Sequence, residues 1–203
     1  MTLQQRQQKT VGLYSKIEFT IEKGICRIIL RVLQGGFQEL YRFDERVAEE
    51  MNQWEDHMIY GLECPQGGPS LYLQWRKDPI VFDLNMPKRR LKRKDKTSGQ
   101  GKLVRVKNPK PTYHDVVIRF TSMHMAFLVL TGQIGISGAY ALHGFTLKGD
   151  IMKTMSFSRC VDVIEAYLFP KFMTKRIMTD VPKKNRPSLF VYAKIVKNIL
   201  LRG

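Results

Sequence analysis

Between residues 112 and 149 the apolar positions change period three times, and each change marks a predicted element. Val116, Ile118 and Phe120 alternate with Asp115, Val117 and Arg119, the signature of a half-buried strand over 114–120. Six consecutive apolar residues follow, Met125 to Leu130. With Ser122 as a cap and Gly132 as a stop they predict a helix from Met123 to Thr131, and with no polar face it must bury all round or border an apolar space. It is far too short to cross a bilayer. Ser137 is placed to cap a shorter helix through Tyr140 to Leu142, ended by Gly144. From Phe145 to Lys148 the strand period resumes, with Phe145 and Leu147 inward.

Upstream, Tyr14, Ile17, Ile21, Ile25, Ile28 and Val32 recur at steps of three and four and predict an amphipathic helix over 11–33, stopped by Gly35-Gly36. A second helix is predicted from Phe37 to about Ile59, with Leu40, Phe43, Val47, Met51, Trp54 and Met58 on its stripe and Glu39, Glu45, Glu49, Glu50 and Asp56 outside it. The turn cluster at 64–69 ends the helical part. Leu71, Leu73 and Trp75 then read as the inward face of a strand that turns near 76–79 and returns through Ile80, Phe82 and Leu84 as a hairpin. A third strand is predicted over 102–107, with Val104 and Val106 inward. Asp150 is a cap for a helix to Leu168, broken at Phe169-Pro170. A last helix over 188–201 would set Leu189, Tyr192, Val196 and Ile199 on one side. No internal repeat is present.

These elements add up to an α/β chain of the α+β kind: a five-stranded, mostly antiparallel sheet covered on one face by helices, with an extra N-terminal helix and a basic C-terminal helical tail. With 203 residues and 43% hydrophobic composition, one sizeable core is expected. The net charge of +16 refines that picture by its placement. Residues 85–111 hold eleven lysines and arginines against one acid, residues 170–203 hold nine against one, and the rest is slightly acidic. A nearly neutral body thus carries two basic appendages, which speaks of partners and not of fold. Cys26, Cys64 and Cys160 are odd in number and far apart, as reduced thiols are, and the polar N-terminus does not read as a secretory signal. A cytoplasmic protein, peripheral at a membrane, is the expectation.

Four segments, Val116-Val-Ile-Arg-Phe120, Phe127-Leu-Val-Leu-Thr-Gly132, Ser137-Gly-Ala-Tyr140 and His143-Gly-Phe-Thr-Leu-Lys-Gly-Asp-Ile151, together resemble the sterol carrier protein type two family of lipid-binding domains. The resemblance spans about 37–158, with a basic insertion at 85–101, and leaves 1–36 as an N-terminal helical extension and 159–203 as a basic C-terminal one. It implies a helix, three strands, a fourth strand, two helices and a fifth strand. It further implies an apolar tunnel for a fatty acyl, sterol-like or isoprenoid ligand, and a partner enzyme, because the family also occurs as a module attached to enzymes. The insertion is longer than the connection usual in that family, and the chain does not end in a peroxisomal address, so peroxisomal location and sterol transfer do not carry over.

The residues offer little for catalysis. His57, His114, His124 and His143 lack the paired spacing of a helical zinc site, and Gly132-Gln-Ile-Gly-Ile-Ser-Gly138 follows a helix where a dinucleotide loop follows a strand. No enzyme, metal or cofactor is expected. The candidate ligand-binding residues are Trp75, Phe82, Phe120, Met123, Phe127, Leu130, Ile134, Ile136, Tyr140 and Phe145, with Met123, Met125, Met152 and Met155 suited to adaptable contacts. Periodicity alone describes a solid core equally well. A chain of about 14 methylenes would gain on the order of 11 kcal/mol gross, before ordering costs.

For contact with an anionic surface the candidates are Lys88, Arg89, Arg90, Lys92, Arg93 and Lys94 in the insertion, and Lys183, Lys184 and Arg186 before the last helix. The expected function is therefore non-enzymatic binding of a lipid or long apolar ligand, with transfer to or from anionic membranes. The alternative is a basic protein with a solid core that docks on nucleic acid or an acidic partner. Nucleic acid is the less favoured of these, since the basic run has no interleaved aromatics.

Overall fold

The computed structural model describes residues 3–77, 101–107, 109–112, 115–169, 184 and 187–202. Its first element is one continuous helix, α1 (Leu3–Phe43). At 1.5 Å per residue that helix is about 60 Å long. The predicted stop at Gly35-Gly36 is not there. A Cβ on residue 35 would lie 2.9 Å from Ile195 Cγ2, and one on residue 36 would lie 2.6 Å from Ile164 Cγ2. The two glycines are close-approach sites for neighbouring helices. Their helix cost, about 1 kcal/mol each, is offset by that packing.

The chain breaks eight residues later, at Asp44. Its side chain caps α2 (Glu45–Asn52) by accepting the Arg46 N–H at 3.2 Å, and it also takes the Arg46 guanidinium at 2.9 and 2.7 Å and the Tyr167 hydroxyl at 3.1 Å. A carboxylate with no solvent exposure is tolerated because every oxygen is engaged. Glu39, expected outside the stripe, is buried beside Arg42.

Where the second helix was expected to continue to Ile59, α2 ends at Asn52 and a strand begins, β1 (Ile59–Glu63). The stripe misleads because Trp54 and Met58 are buried from the turn as they would be from a helix. Tertiary contacts fix the strand. The buried Asp115 carboxylate accepts the Ile59 N–H at 2.8 Å and the Thr112 N–H at 2.7 Å. The turn at 64–69 then joins β1 to β2 (Ser70–Lys77), so that the hairpin lies one strand earlier than predicted. The expected return strand with Ile80, Phe82 and Leu84 lies outside the described residues.

The remaining strands are β3 (Gly101–Arg105), β4 (Val116–Phe120) and β5 (Phe145–Lys148). Sheet order is β3-β2-β1-β4-β5, with β1 and β4 parallel and all other pairs antiparallel. One face presents Leu71, Leu73, Trp75, Tyr60, Leu62, Val116, Ile118 and Phe120 to the helices. On β3 the inward parity is the reverse of that predicted. Leu103 sits opposite Trp75 and is buried, while Val104 and Val106 are half-buried on the other side. On the outer face Glu63 binds Arg119 at 2.5 Å and accepts the Tyr72 hydroxyl.

Ser122 caps α3 (Met123–Leu130), accepting the Met125 N–H at 3.0 Å, and Gly132 with φ +69 lets the chain leave the helix. The short α4 (Ile136–Ala141) is entered from Gly135 and not from Ser137. Asp150 caps α5 (Ile151–Leu168) as expected, through the N–H groups of Met152 at 2.7 Å and Lys153 at 3.1 Å. The last helix is α6 (Ser188–Arg202). Among its described side chains Val191 and Ile195 are buried, while Leu189, Tyr192 and Val196 of the stripe read from the sequence are exposed; Ile199 of that stripe lies outside the described side chains. The register is set by Gly35, which admits Ile195.

The helix α1 packs against α3, α5, α6, β2 and β3, so the region taken as an extension is a wall of the core. The boundaries drawn at 36 and 158 both fall within continuous helices.

Candidate apolar ligand cavity

Four walls enclose a cavity of about 210 Å³. The sheet supplies Leu62, Ile118, Phe120 and Phe145, and α1 supplies Ile29, Val32 and Leu33 at helical spacing. Val129 and Leu130 of α3 and Ile136 of α4 close one end. The opposite wall is α5, where Ser158, Val161, Glu165 and Leu168 recur at steps of three and four and so share a face. Tyr192 of α6 completes the lining, and its hydroxyl donates to the Leu168 carbonyl. Because Tyr192 is also 39% exposed, the lining reaches the exterior at the seam of α5 and α6.

Among the described residues that line it, only Ser158, Glu165 and Tyr192 carry polar side chains. Tyr192 is engaged with Leu168. Burial pushes the Glu165 carboxyl up to about 8, and the negative charge of Asp162, one turn earlier, adds to the shift. Burial raises Asp162 itself to about 6. Near pH 7 this leaves Glu165 mostly neutral and Asp162 mostly ionised.

Phe120, Leu130, Ile136 and Phe145 are the predicted ligand-binding residues that the fold brings to this cavity. Others belong elsewhere. Trp75 is sealed in the core with Tyr41 and Trp54 around it, and its indole N–H has no hydrogen-bond partner among the described residues. Met123 is a core residue near Gly68. Phe127 and Ile134 are half-buried against the core, and Tyr140 is 72% exposed. Phe82 lies outside the described residues. Met125 packs on Gly144, and Met152 and Met155 face solvent, so none of the four methionines lines the cavity.

Sequence reasoning missed the contributions of α1, β1, α5 and α6. A signal was available on α5: Ser158 and Glu165 are polar positions on the face that carries Val161 and Leu168. Among the described residues no group of three His, Cys, Asp or Glu side chains is placed to hold a metal ion. His124 instead pairs with Glu22 of α1 at 2.5 Å.

Of the residues expected to meet an anionic surface, Lys184 is described, and its ammonium donates to Ser188 at 2.7 Å. Lys88, Arg89, Arg90, Lys92, Arg93, Lys94, Lys183 and Arg186 lie outside the described residues. A basic concavity that the sequence did not suggest is formed by Arg27 and Arg31 of α1 and Arg105 of β3, over Leu30, Leu71 and Ser70, with a volume of about 260 Å³. Arg105 occupies an inward-facing register position opposite Leu73, where the strand pattern calls for an apolar residue.

The fold and this lining define the class: an α+β domain whose helices and sheet border an apolar cavity with, among the described residues, one carboxyl in its wall. No protein-family model, curated protein or solved structure matches the chain.

Proposed function

We propose that this protein binds a lipid or other apolar molecule in the cavity between α1, α5 and the sheet, without catalysing a reaction on it, and exchanges it with anionic membranes. The observation that carries the reading is the cavity itself, apolar in lining and bordered by α1, α3, α4, α5, α6 and the sheet. Its volume narrows the occupant. An apolar cavity of about 150 Å³ holds one benzene ring, and drug-sized ligands need about 300 Å³ or more. The end of an acyl or isoprenoid chain fits 210 Å³ better than a sterol nucleus does. Burying about seven methylenes would gain roughly 6 kcal/mol gross.

Three further observations support the reading. Among the described residues the order of a helix, three strands, a fourth strand, two helices and a fifth strand agrees with the one that the resemblance to sterol carrier domains implies. Leu189, Phe190, Tyr192 and Val196 leave α6 with exposed apolar side chains beside Lys194 and Lys197, a composition suited to lying at a membrane interface. The pocket of Arg27, Arg31 and Arg105 suits the phosphate of a headgroup. Among the described residues no helix is long and apolar enough to cross a membrane.

The same arginines favour a second reading, in which the protein docks on nucleic acid. The deciding experiment is native mass spectrometry of the purified protein, together with salt-dependent retention on anionic vesicles and on DNA. Co-purified apolar mass and vesicle retention support the carrier. A clean apo mass with retention on DNA alone overturns it.

A further inference from the structure

We infer that Glu165 is the recognition group of the cavity and that the ligand is an uncharged apolar molecule bearing a carbonyl oxygen, seated against Glu165 near the α5–α6 seam with its hydrocarbon part directed inward. The inference rests on the reading of the cavity as a ligand site and specifies the chemistry of its occupant.

The geometry argues as follows. Glu165 lines a cavity whose other walls offer it nothing: α1, β1, β4, α3, α4 and β5 contribute apolar side chains alone. Among the described residues no donor or cation meets its carboxyl. The charged group acting on it is Asp162, of the same helix, and Tyr192, the other titratable residue in the lining, spends its hydroxyl on Leu168. The Glu165 side chain is half-buried and desolvated by its apolar surroundings; a desolvated polar group without a partner is costly, and a ligand that supplies the partner recovers that cost on binding.

Charge decides which partner. A carboxyl desolvated beside a second carboxylate holds its proton, so what it presents is an O–H donor. An anionic head seated on Glu165 would lie about one turn from the charge of Asp162 and be repelled. A carbonyl accepts the proton without bringing a donor of its own that the cavity would leave unsatisfied. Position agrees with chemistry. Glu165 lies within one turn of Leu168 and Phe169, where the lining meets the exterior, whereas Phe120 and Val129 lie among buried residues. Ser158, two turns back along α5, is about 10 Å away. A single polar group therefore cannot use both, and Glu165 is the one a turn from Leu168, where the 39%-exposed Tyr192 meets α5.

Calorimetric titration of the full chain with benzene, 2-heptanone and heptylamine tests this, using wild type, Glu165→Leu and Glu165→Gln. At about pH 6.5, Glu165→Leu should weaken 2-heptanone about ten-fold while leaving benzene unchanged or tighter, and Glu165→Gln, whose amide still donates, should hold the ketone within about three-fold of wild type. Raising the solution to about pH 9.5 should weaken ketone binding in wild type and not in Glu165→Gln, because above a pKa of about 8 the donor is gone. If benzene binds wild type but the ketone is indifferent to both substitutions, the assignment of Glu165 is overturned and the cavity reading survives. Heptylamine binding tighter than the ketone, and lost in Glu165→Gln, would make the site a cation anchor and overturn the carbonyl. If neither benzene nor the ketone binds wild type, both readings fall.

Discussion

Gly36 of α1 and Ile164 of α5 touch so closely that a Cβ on residue 36 would sit 2.6 Å from the Ile164 Cγ2. The wall of α5 that carries Glu165 is one residue further along, so this contact sets how far apart the two sides of the cavity stand. Ile164 is fully buried and cannot swing aside. Gly36→Ala should therefore destabilise the protein by about 1–3 kcal/mol in urea unfolding. Combined with Ile164→Ala, which removes the Cγ2 that the new methyl would meet, the double variant should cost less than the sum of the two single ones, as coupled neighbours do. Additive costs in the double variant would show that the contact is not the cause.

Val161 faces the cavity from the middle of α5 and is buried. Val161→Phe should fill that space without adding a polar group. The expected outcome is an unchanged or higher melting temperature and loss of benzene binding, measured by calorimetry. A solid interior would respond the other way, losing about 1–3 kcal/mol to overpacking.

Two glutamates of the helical layer should pull stability in opposite directions with pH. The Arg159 hydrogen bond holds Glu50 below the usual carboxylate range. Its contribution is complete above about pH 4.5, the unfolded value, and is lost as pH falls through the lower folded value. Glu165 is raised to about 8, so the folded state binds the extra proton between about 4.5 and 8 and stability falls as pH rises through that window. Unfolding titrations should show Glu50→Gln less stable at neutral pH. Glu165→Gln should be flatter than wild type between pH 5 and 8; equal slopes would remove the raised carboxyl from the account.

Arg27 and Arg31, one turn apart on α1, face Arg105 across the basic pocket. Reversing both, Arg27→Glu with Arg31→Glu, should reduce adhesion to phosphatidylserine vesicles at low salt by about ten-fold or more, at roughly 1 kcal/mol for each basic residue near an anionic leaflet. Sedimentation with vesicles reads this directly. Undiminished adhesion would assign membrane contact to other parts of the chain.

Tyr60 stacks on Phe157 at 5.1 Å, yet its buried hydroxyl has no hydrogen-bond partner among the described residues. Tyr60→Phe keeps the stack and removes the orphaned group. Stability should stay level or rise by about 1 kcal/mol. A clear loss in thermal unfolding would mean that the hydroxyl has a partner after all.

What could be read in the sequence was whatever a residue states about its own neighbourhood. Alternation gave β4 and the inward set Leu71, Leu73 and Trp75. Ser122 and Asp150 announced α3 and α5, because a cap is a bond between a side chain and the backbone two or three residues on. Phe120, Leu130, Ile136 and Phe145 were found for the cavity because strand and helix periods place them inward.

What only the tertiary structure decided depends on a partner distant in sequence. Glycine at 35 and 36 ends a helix in isolation, but against Ile195 and Ile164 it permits close packing and the helix runs on. Ile59 became strand because Asp115, far along the chain, takes its N–H. The inward sides of β3 and α6 were set by Trp75 and Gly35, each overriding an equally good apolar stripe on the other side. The cavity is the extreme case. A void is a property of the gap between elements and not of any residue, and period and propensity carry no term for it. The sequence chose which side chains turn inward; the spacing of α1, α5 and the sheet decided whether they meet.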